Sequence, residues 1–97
     1  MKIDFFNDQI KEELDGAKEY LTLANELKVS NPAWSSKLYK MGCEEEKHAN
    51  CLMKMLNEHS ADVPHTEQYD AMYRQIFETV ATLMPQITSM KDAYWKI

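Results

Sequence analysis

Glycine and proline are scarce in this sequence, with 2 Gly and 3 Pro among 97 residues. Disordered chains are enriched in these residues and poor in hydrophobic ones, whereas 44% of this chain is hydrophobic. The composition therefore excludes a disordered linker and favours a folded, helix-rich chain. The length predicts one domain over residues 1–97. A domain of this size buries limited surface, so association with a second copy would stabilise it.

Clusters of lysine and arginine are also missing. The chain has 11 Lys and Arg against 16 Asp and Glu, which gives a formal net charge of −5. Because phosphate contacts need a basic surface, we expect no nucleic-acid partner. An acidic surface attracts cations, and it also serves solubility alone.

Long apolar runs and paired cysteines are absent as well. No run reaches the roughly 18 residues of a membrane span, so we expect no membrane partner. Asp4 follows the start at once and no apolar segment comes after it, so we expect no signal peptide. Cys43 and Cys51 would lie about 12 Å apart on one helix, too far for a disulfide. Without a Cys-x-x-Cys pair, zinc-ribbon and rubredoxin-type sites are excluded. We expect reduced thiols and a cytoplasmic protein.

The first predicted helix begins after Asp4, a plausible N-cap, and ends near Lys28. Gly16 lies in its middle, where glycine costs about 1 kcal/mol relative to alanine and often permits another helix to come close. An apolar stripe recurs at helical spacing along this segment: Phe6, Ile10, Leu14, Ala17, Leu21, Ala24 and Leu27, with Glu13 and Tyr20 within or beside it.

The second predicted helix begins at Pro32, with Asn31 as its N-cap, and ends near His59. Because the link between the two helices is short, they must form an antiparallel hairpin over residues 5–60.

A third helix is predicted over residues 66–97, with Thr66 as its N-cap. Pro85 removes one helical hydrogen bond and clashes with the preceding turn, so we expect a kink or break near residues 81–84. The fold class is therefore all-α, with a hairpin followed by a C-terminal helix. Its apolar positions alternate by four and three, as in a core or an interface: Tyr69, Tyr73, Ile76, Val80, Leu83, Ile87, Met90 and Tyr94.

Residues 42–51 contain Glu45-x-x-His48, whose two side chains share one helix face. An apolar series continues the same spacing on both sides: Trp34, Leu38, Met41, Leu52 and Met55. We therefore expect the pair to lie on a core stripe, where a glutamate needs a partner. A metal ion is the natural partner of a carboxylate and an imidazole together. A Glu–His hydrogen bond within a polar core is the alternative.

The hairpin register brings a third donor to the same height. Glu13, Glu45 and His48 all lie roughly 18–22 Å from the loop at 1.5 Å per residue, although Glu12 would replace Glu13 after a small rotation. Dinuclear carboxylate sites in helix bundles use one Glu from each of two helices and Glu-x-x-His from each of the other two. Two hairpins related by a two-fold axis would supply that set, and its four carboxylates would neutralise two divalent ions.

At these residues the chain resembles the ferritin-like family, and most closely its encapsulated ferritin and rubrerythrin branches. The resemblance implies that Glu13, Glu45 and His48 are iron ligands, with Tyr20 beside the site and Asp15 near the path of iron entry. It also implies a four-helix bundle completed by dimerisation. It covers about residues 5–60 and rests on two runs: Glu12-Glu13-Leu14-Asp15 with Tyr20 beyond it, and Glu44-Glu45-Glu46-Lys47-His48-Ala49.

The activity that this resemblance implies is that of a ferroxidase, which oxidises Fe²⁺ with dioxygen or peroxide for iron storage or detoxification. The donor count gives two iron ions per dimer in a homodimer or higher homo-oligomer, with manganese as an alternative ion because oxygen-rich ligation with imidazole suits both. The resemblance further implies a protein shell as a partner. Peroxide scavenging at the same site is an alternative. A second alternative is a non-catalytic assembly protein, associated with a phage or a shell, that works through its third helix.

Several polar residues also have ordinary interpretations. Tyr20 is placed as a packing residue would be. At the ends of predicted helices, a surface or capping role is expected for His59 and His65. A solvated helix face is expected for three neighbours of the motif: Glu44, Glu46 and Lys47.

Overall fold

The computed structural model describes residues 3–96 and contains three helices. These are α1 (Ile3–Glu26), α2 (Pro32–Asp62) and α3 (Glu67–Tyr94), and no strand occurs among the described residues. The all-α prediction is confirmed in this part of the chain. Residue 97, the predicted end of the third helix, lies outside it.

One face of α1 forms the centre of the core. The predicted apolar stripe is confirmed, because its members from Phe6 to Ala24 are at most 1% exposed: Phe6, Ile10, Leu14, Ala17, Leu21 and Ala24. The predicted N-cap is wrong, since α1 already includes Ile3 and Asp4 lies within the first turn. A carboxylate in the first turn still interacts favourably with the positive end of the helix dipole.

The α1–α2 hairpin is set by a capped, proline-started helix, as predicted. Asn31 Oδ1 accepts a hydrogen bond from the Trp34 amide, and Pro32 occupies the first helical position. Just beyond the loop, the buried Ser35 hydroxyl donates to the Ala24 carbonyl at 2.5 Å.

α1 and α2 come close together at Gly42. A Cβ built on Gly42 would lie 2.8 Å from Leu21 Cγ and 3.3 Å from the Ala17 carbonyl oxygen, which no side chain tolerates without displacement. The close-approach role suggested for Gly16 therefore belongs to Gly42. At Gly16 an added Cβ would find its nearest neighbour 3.7 Å away, an ordinary contact.

The third helix begins at Thr66, whose hydroxyl accepts a hydrogen bond from the Tyr69 amide as predicted. It runs parallel to α1 and buries Ile76 and Ile87 in the core. α3 is continuous through Pro85, so the predicted break does not occur, and a bend at this point stays a prediction.

Side chains from α2 and from the loop after α1 hold the C-terminal half of α3. Tyr39 stacks on Tyr94 with ring centroids 4.2 Å apart. The Lys28 ammonium donates to the carbonyls of Ala93 and Lys96 at 3.2 and 2.7 Å, at the C-terminal end of α3, where a cation interacts favourably with the helix dipole.

The contacts of α2 determine which side of the hairpin α3 covers. Glu46 points toward α3, where Lys91 binds it. His48 is two residues further along, which is about 200° around the helix. The side of α2 that carries His48 therefore faces away from α3 and is not covered by the third helix.

Candidate metal centre

Glu13 on α1 and the Glu45–His48 pair on α2 meet across the hairpin. His48 Nδ1 lies 3.5 Å from Glu13 Oε2 and 3.9 Å from Glu45 Oε2. One donor atom from each residue lies within 4.8 Å of the other two. The antiparallel register alone brings together residues more than 30 positions apart, as the sequence predicted.

The Glu13 carboxylate has an oxygen that the chain leaves unsatisfied. Glu13 Oε2 is buried and accepts no hydrogen bond from any described residue, although His48 Nδ1 is close to it. A buried carboxylate oxygen without a partner is costly, so it indicates a missing ligand or proton.

His48 lies close enough to each carboxylate for the two to share a divalent ion. Two ligand atoms that are each about 2.1 Å from one ion can be no more than about 4.2 Å apart. Both distances from His48 Nδ1, 3.5 and 3.9 Å, satisfy this limit. Two carboxylate oxygens and one imidazole nitrogen suit iron and also manganese.

The surroundings of the donors are acidic. A depression of about 590 Å³ opens beside Glu13 and Glu45, and Lys11 is the one basic side chain on its described wall. Such a surface raises the local concentration of cations. The other acidic residues that line it lie on α1: Asp8, Glu12, Asp15 and Glu19.

The α2 series predicted as a core stripe is only partly buried: Leu52 packs against the core and Leu38 is half-buried, whereas four members are exposed. His48 has 62% of its side chain exposed, and Trp34, Met41 and Met55 are 62%, 41% and 41% exposed. The buried series is shifted by one residue along the helix: Ser35, Gly42, Ala49 and Leu56. The prediction failed because both series repeat every seven residues, and small side chains in the buried one allow close packing on α1.

These observations define an uncovered surface, which we call the open face. It consists of Glu13, Glu45 and His48 together with the exposed side chains of Trp34, Met41 and Met55. Glu13 and Glu45 are partly shielded, with 22% and 28% of their side chains exposed. The donors therefore lie at the bottom of this surface rather than inside the three-helix core.

Tyr20 lies on α1 two turns beyond Glu13. It is half-buried and lines the same depression as Glu13 and Glu45. No hydrogen bond joins its hydroxyl to the three donors in the described part of the chain. Its predicted role beside the site stays a prediction, and its position is compatible with that role.

Glu46 was expected on a solvated face, and this expectation is wrong. Its side chain is only 12% exposed, and its Oε1 accepts a hydrogen bond from Lys91 Nζ at 2.7 Å. This hydrogen bond raises the pKa of Lys91 above its ordinary value. Sequence spacing within α2 could not reveal the pair, because its partner lies 45 residues away on α3.

The two histidines at the helix ends join an aromatic cluster. Tyr69 stacks between His59 and His65, and its hydroxyl is 3.0 Å from His59 Nδ1 and 2.6 Å from Ser60 Oγ. Neither belongs to the Glu13–Glu45–His48 group. The predicted surface or capping role fits His65, which is exposed with its Nε2 2.6 Å from the Ser60 carbonyl oxygen, whereas His59 is half-buried and packs on Phe6. Cys43 and Cys51 are free thiols, as their separation predicted.

Helices that present Glu and Glu-x-x-His toward each other characterise the helical carboxylate metal proteins. The family model for rubrerythrin matches residues 4–96. The chain therefore belongs to the rubrerythrin family, within the ferritin-like superfamily of di-iron carboxylate proteins. The match extends through α3, beyond the segment in which the motifs lie.

Rubrerythrin-type domains bind iron, and ferritin-like proteins commonly form oligomers. Searches among curated proteins and among solved structures give no significant match. Within residues 3–96, no helix combines the length and the apolar character needed to cross a membrane.

Proposed function

We propose that this chain is a ferroxidase-type iron protein in which Glu13, Glu45 and His48 hold iron. The observation that carries the proposal is the buried, unsatisfied Glu13 Oε2, 3.5 Å from His48 Nδ1 and beside the Glu45 carboxylate. A cation bound among these atoms would satisfy that oxygen and relieve the repulsion between the two carboxylates.

A second copy of the chain would complete the site. One chain supplies two Glu and one His, which is half of the donor set of a dinuclear centre. Two chains docked by their open faces would bring four carboxylates together, and two divalent ions would neutralise them. The exposed Trp34, Met41 and Met55 support this arrangement, because they provide apolar surface on both sides of His48.

Each donor has a distinct task in this arrangement. Glu13 and Glu45 supply negative charge that favours the ion in its higher oxidation state. His48, in its neutral form, offers the Nδ1 lone pair that faces both carboxylates. The acidic depression beside Glu13 and Glu45 would leave a path for ions and oxidant from solvent. Bound iron would supply the redox chemistry, with dioxygen or peroxide as the oxidant.

The test is an anaerobic Fe²⁺ titration of the full chain, with Glu44→Gln as the matched control for Glu13→Gln. We expect two Fe²⁺ per dimer in the wild type and in Glu44→Gln, because Glu44 is exposed and outside the donor group. Glu13→Gln should lose binding and oxidation. The free energy of unfolding of metal-free Glu13→Gln should be about 1 kcal/mol higher than that of the metal-free wild type, because a buried charge is removed. Unchanged binding by Glu13→Gln would refute the proposal.

Two alternatives make different demands on the same protein. If the protein scavenges peroxide, the bound Fe²⁺ should be oxidised faster by H₂O₂ than by O₂ when each oxidant is added separately to the iron-loaded protein. A non-catalytic assembly protein would work through α3, where Phe77 is 42% exposed, and through Trp95 just beyond its end, which is 71% exposed. It would bind its partner equally well after chelation.

Manganese is tested by competition in the same titration. The free thiols Cys43 and Cys51 support a reducing location, either the cytoplasm or a protein compartment within it.

A further inference from the structure

Gly16 has no packing reason to be glycine. Both glycines lie inside helices, where alanine is the better helix former. At Gly42 the close approach of Leu21 requires glycine, whereas at Gly16 an added Cβ would meet nothing nearer than 3.7 Å. Neither residue has a positive φ, so backbone conformation does not require glycine at position 16 either.

What lies over Gly16 is one metal donor. The three atoms nearest to an added Cβ all belong to Glu45: Cδ at 3.7 Å, Cγ at 3.8 Å and Oε2 at 3.9 Å. Oε2 is also the oxygen that lies 3.9 Å from His48 Nδ1. The bare backbone of Gly16 thus lies directly beside the Glu45 carboxylate.

Glu45 has a reason to turn. In the absence of an ion, its carboxylate lies close to that of Glu13, and like charges resist this proximity. When an ion enters, the same two carboxylates must converge on it. A methyl group at position 16 would hold Glu45 in its ion-free position, and a larger side chain would occupy the space into which the carboxylate turns.

We propose that Gly16 is a positioning residue, which keeps space free for the Glu45 carboxylate to move as an ion enters. The inference rests on the proposed function of the site. Gly16 also lines the depression beside Glu13 and Glu45, so that space is continuous with the acidic surface from which cations arrive.

The experiment measures Co²⁺ entry by stopped-flow absorbance in the full chain without oxidant, so that no turnover is needed. The variants are Gly16→Ala and Gly16→Val. Thr22→Ala and Thr22→Val are the matched controls, because Thr22 is exposed on the same helix and outside the donor group. Thermal unfolding of the metal-free proteins checks folding. We expect Gly16→Ala to unfold at a higher temperature than the wild type.

We expect the Co²⁺ association rate to fall in the order wild type, Gly16→Ala, Gly16→Val, with a loss of about tenfold in Gly16→Val from misplacement of a donor. The number of ions bound should stay constant, and the Thr22 variants should bind at the wild-type rate. A wild-type rate in Gly16→Val, or an equal loss in Thr22→Val, would overturn the role of Gly16 alone. Failure of the wild type to bind Co²⁺ and Fe²⁺ would overturn the proposed function together with it.

Discussion

A single side chain, that of Lys91, connects α3 to the hairpin through its contact with Glu46. Glu46 is largely shielded from solvent, and Lys91 Nζ donates to it at 2.7 Å. Removal of Lys91 would leave a shielded carboxylate without its partner, and hydrogen bonds to charged groups contribute more than neutral ones. Because Glu46 follows Glu45 in sequence, its bond to Lys91 also fixes the turn of α2 that carries the donors.

Lys91→Met should lower the free energy of unfolding by about 1–2 kcal/mol at pH 7, as measured by urea denaturation. The pH dependence has a definite sign. Because folding raises the pKa of Lys91 above 10.5, its contribution is complete below that pH and is lost as the pH rises through the folded-state value. The difference between wild type and variant should therefore be constant from neutral pH upward and shrink only in strong alkali.

Lys47→Met is the control for Lys91→Met, because Lys47 is exposed on α2. It should change the free energy of unfolding little at any pH. An equal loss in both variants, or a Lys91 contribution that disappears below pH 9, would contradict the assigned role of the pair.

At the residue level, the donor group was predictable and its surroundings were not. The constant rise of the α-helix and the register of the hairpin bring Glu13 level with Glu45 and His48. The register is set locally by the Asn31–Pro32 boundary. Exposure is different, because it depends on which of two seven-residue series packs on α1. That choice follows from side-chain volume at the helix contact, so His48 was wrongly expected in the core.

Gly42 governs the distance between α1 and α2, and with it the distance between the donors that the two helices carry. Glycine is unfavourable inside a helix. Here it allows α2 to lie against Leu21 and the Ala17 carbonyl, at positions where a Cβ would be within 2.8 and 3.3 Å. One of these neighbours is backbone, which cannot rotate away.

Gly42→Ala should therefore destabilise the chain by about 1–2 kcal/mol, since overpacking outweighs the gain in helix propensity. It should also weaken Fe²⁺ binding, because the helices that carry the donors are forced apart. Urea unfolding and anaerobic titration measure the two effects. Gly16→Ala, the same change at a position with space, should stabilise the metal-free chain. A stabilised Gly42→Ala variant would show that the helix contact is more adaptable than its geometry indicates.

The helices themselves follow from local signals. Asn31, Pro32 and Thr66 start α2 and α3 as predicted, since capping and the fixed φ of proline act within a few residues. The effect of Pro85 was overestimated. α3 continues past it, because contacts of Ile87 with the core on the far side of the proline outweigh one lost hydrogen bond.

At the scale of the whole molecule, α3 and the donors lie on different sides of the hairpin. α3 covers the side of α2 that carries Tyr39 and Glu46 and leaves the open face uncovered. A rod of 52 × 19 × 15 Å offers few broad surfaces, and the open face extends along its long axis. It combines apolar residues with the donor group, so under the proposed sharing of the site between two chains, association and metal binding should depend on each other.

Two side chains of nearly equal exposure allow a direct test of this coupling. Met41, on the open face, is 41% exposed, and Phe77, on α3, is 42% exposed. Met41→Glu should shift the iron-loaded protein from dimer toward monomer in sedimentation and raise the Fe²⁺ dissociation constant by at least about tenfold, which corresponds to about 1.4 kcal/mol of lost association. Phe77→Glu should change neither, and chelation should convert the wild-type dimer to monomer. The opposite pattern, with dimers lost only in Phe77→Glu and insensitive to chelation, would assign assembly to α3 and leave each chain with an incomplete set of donors.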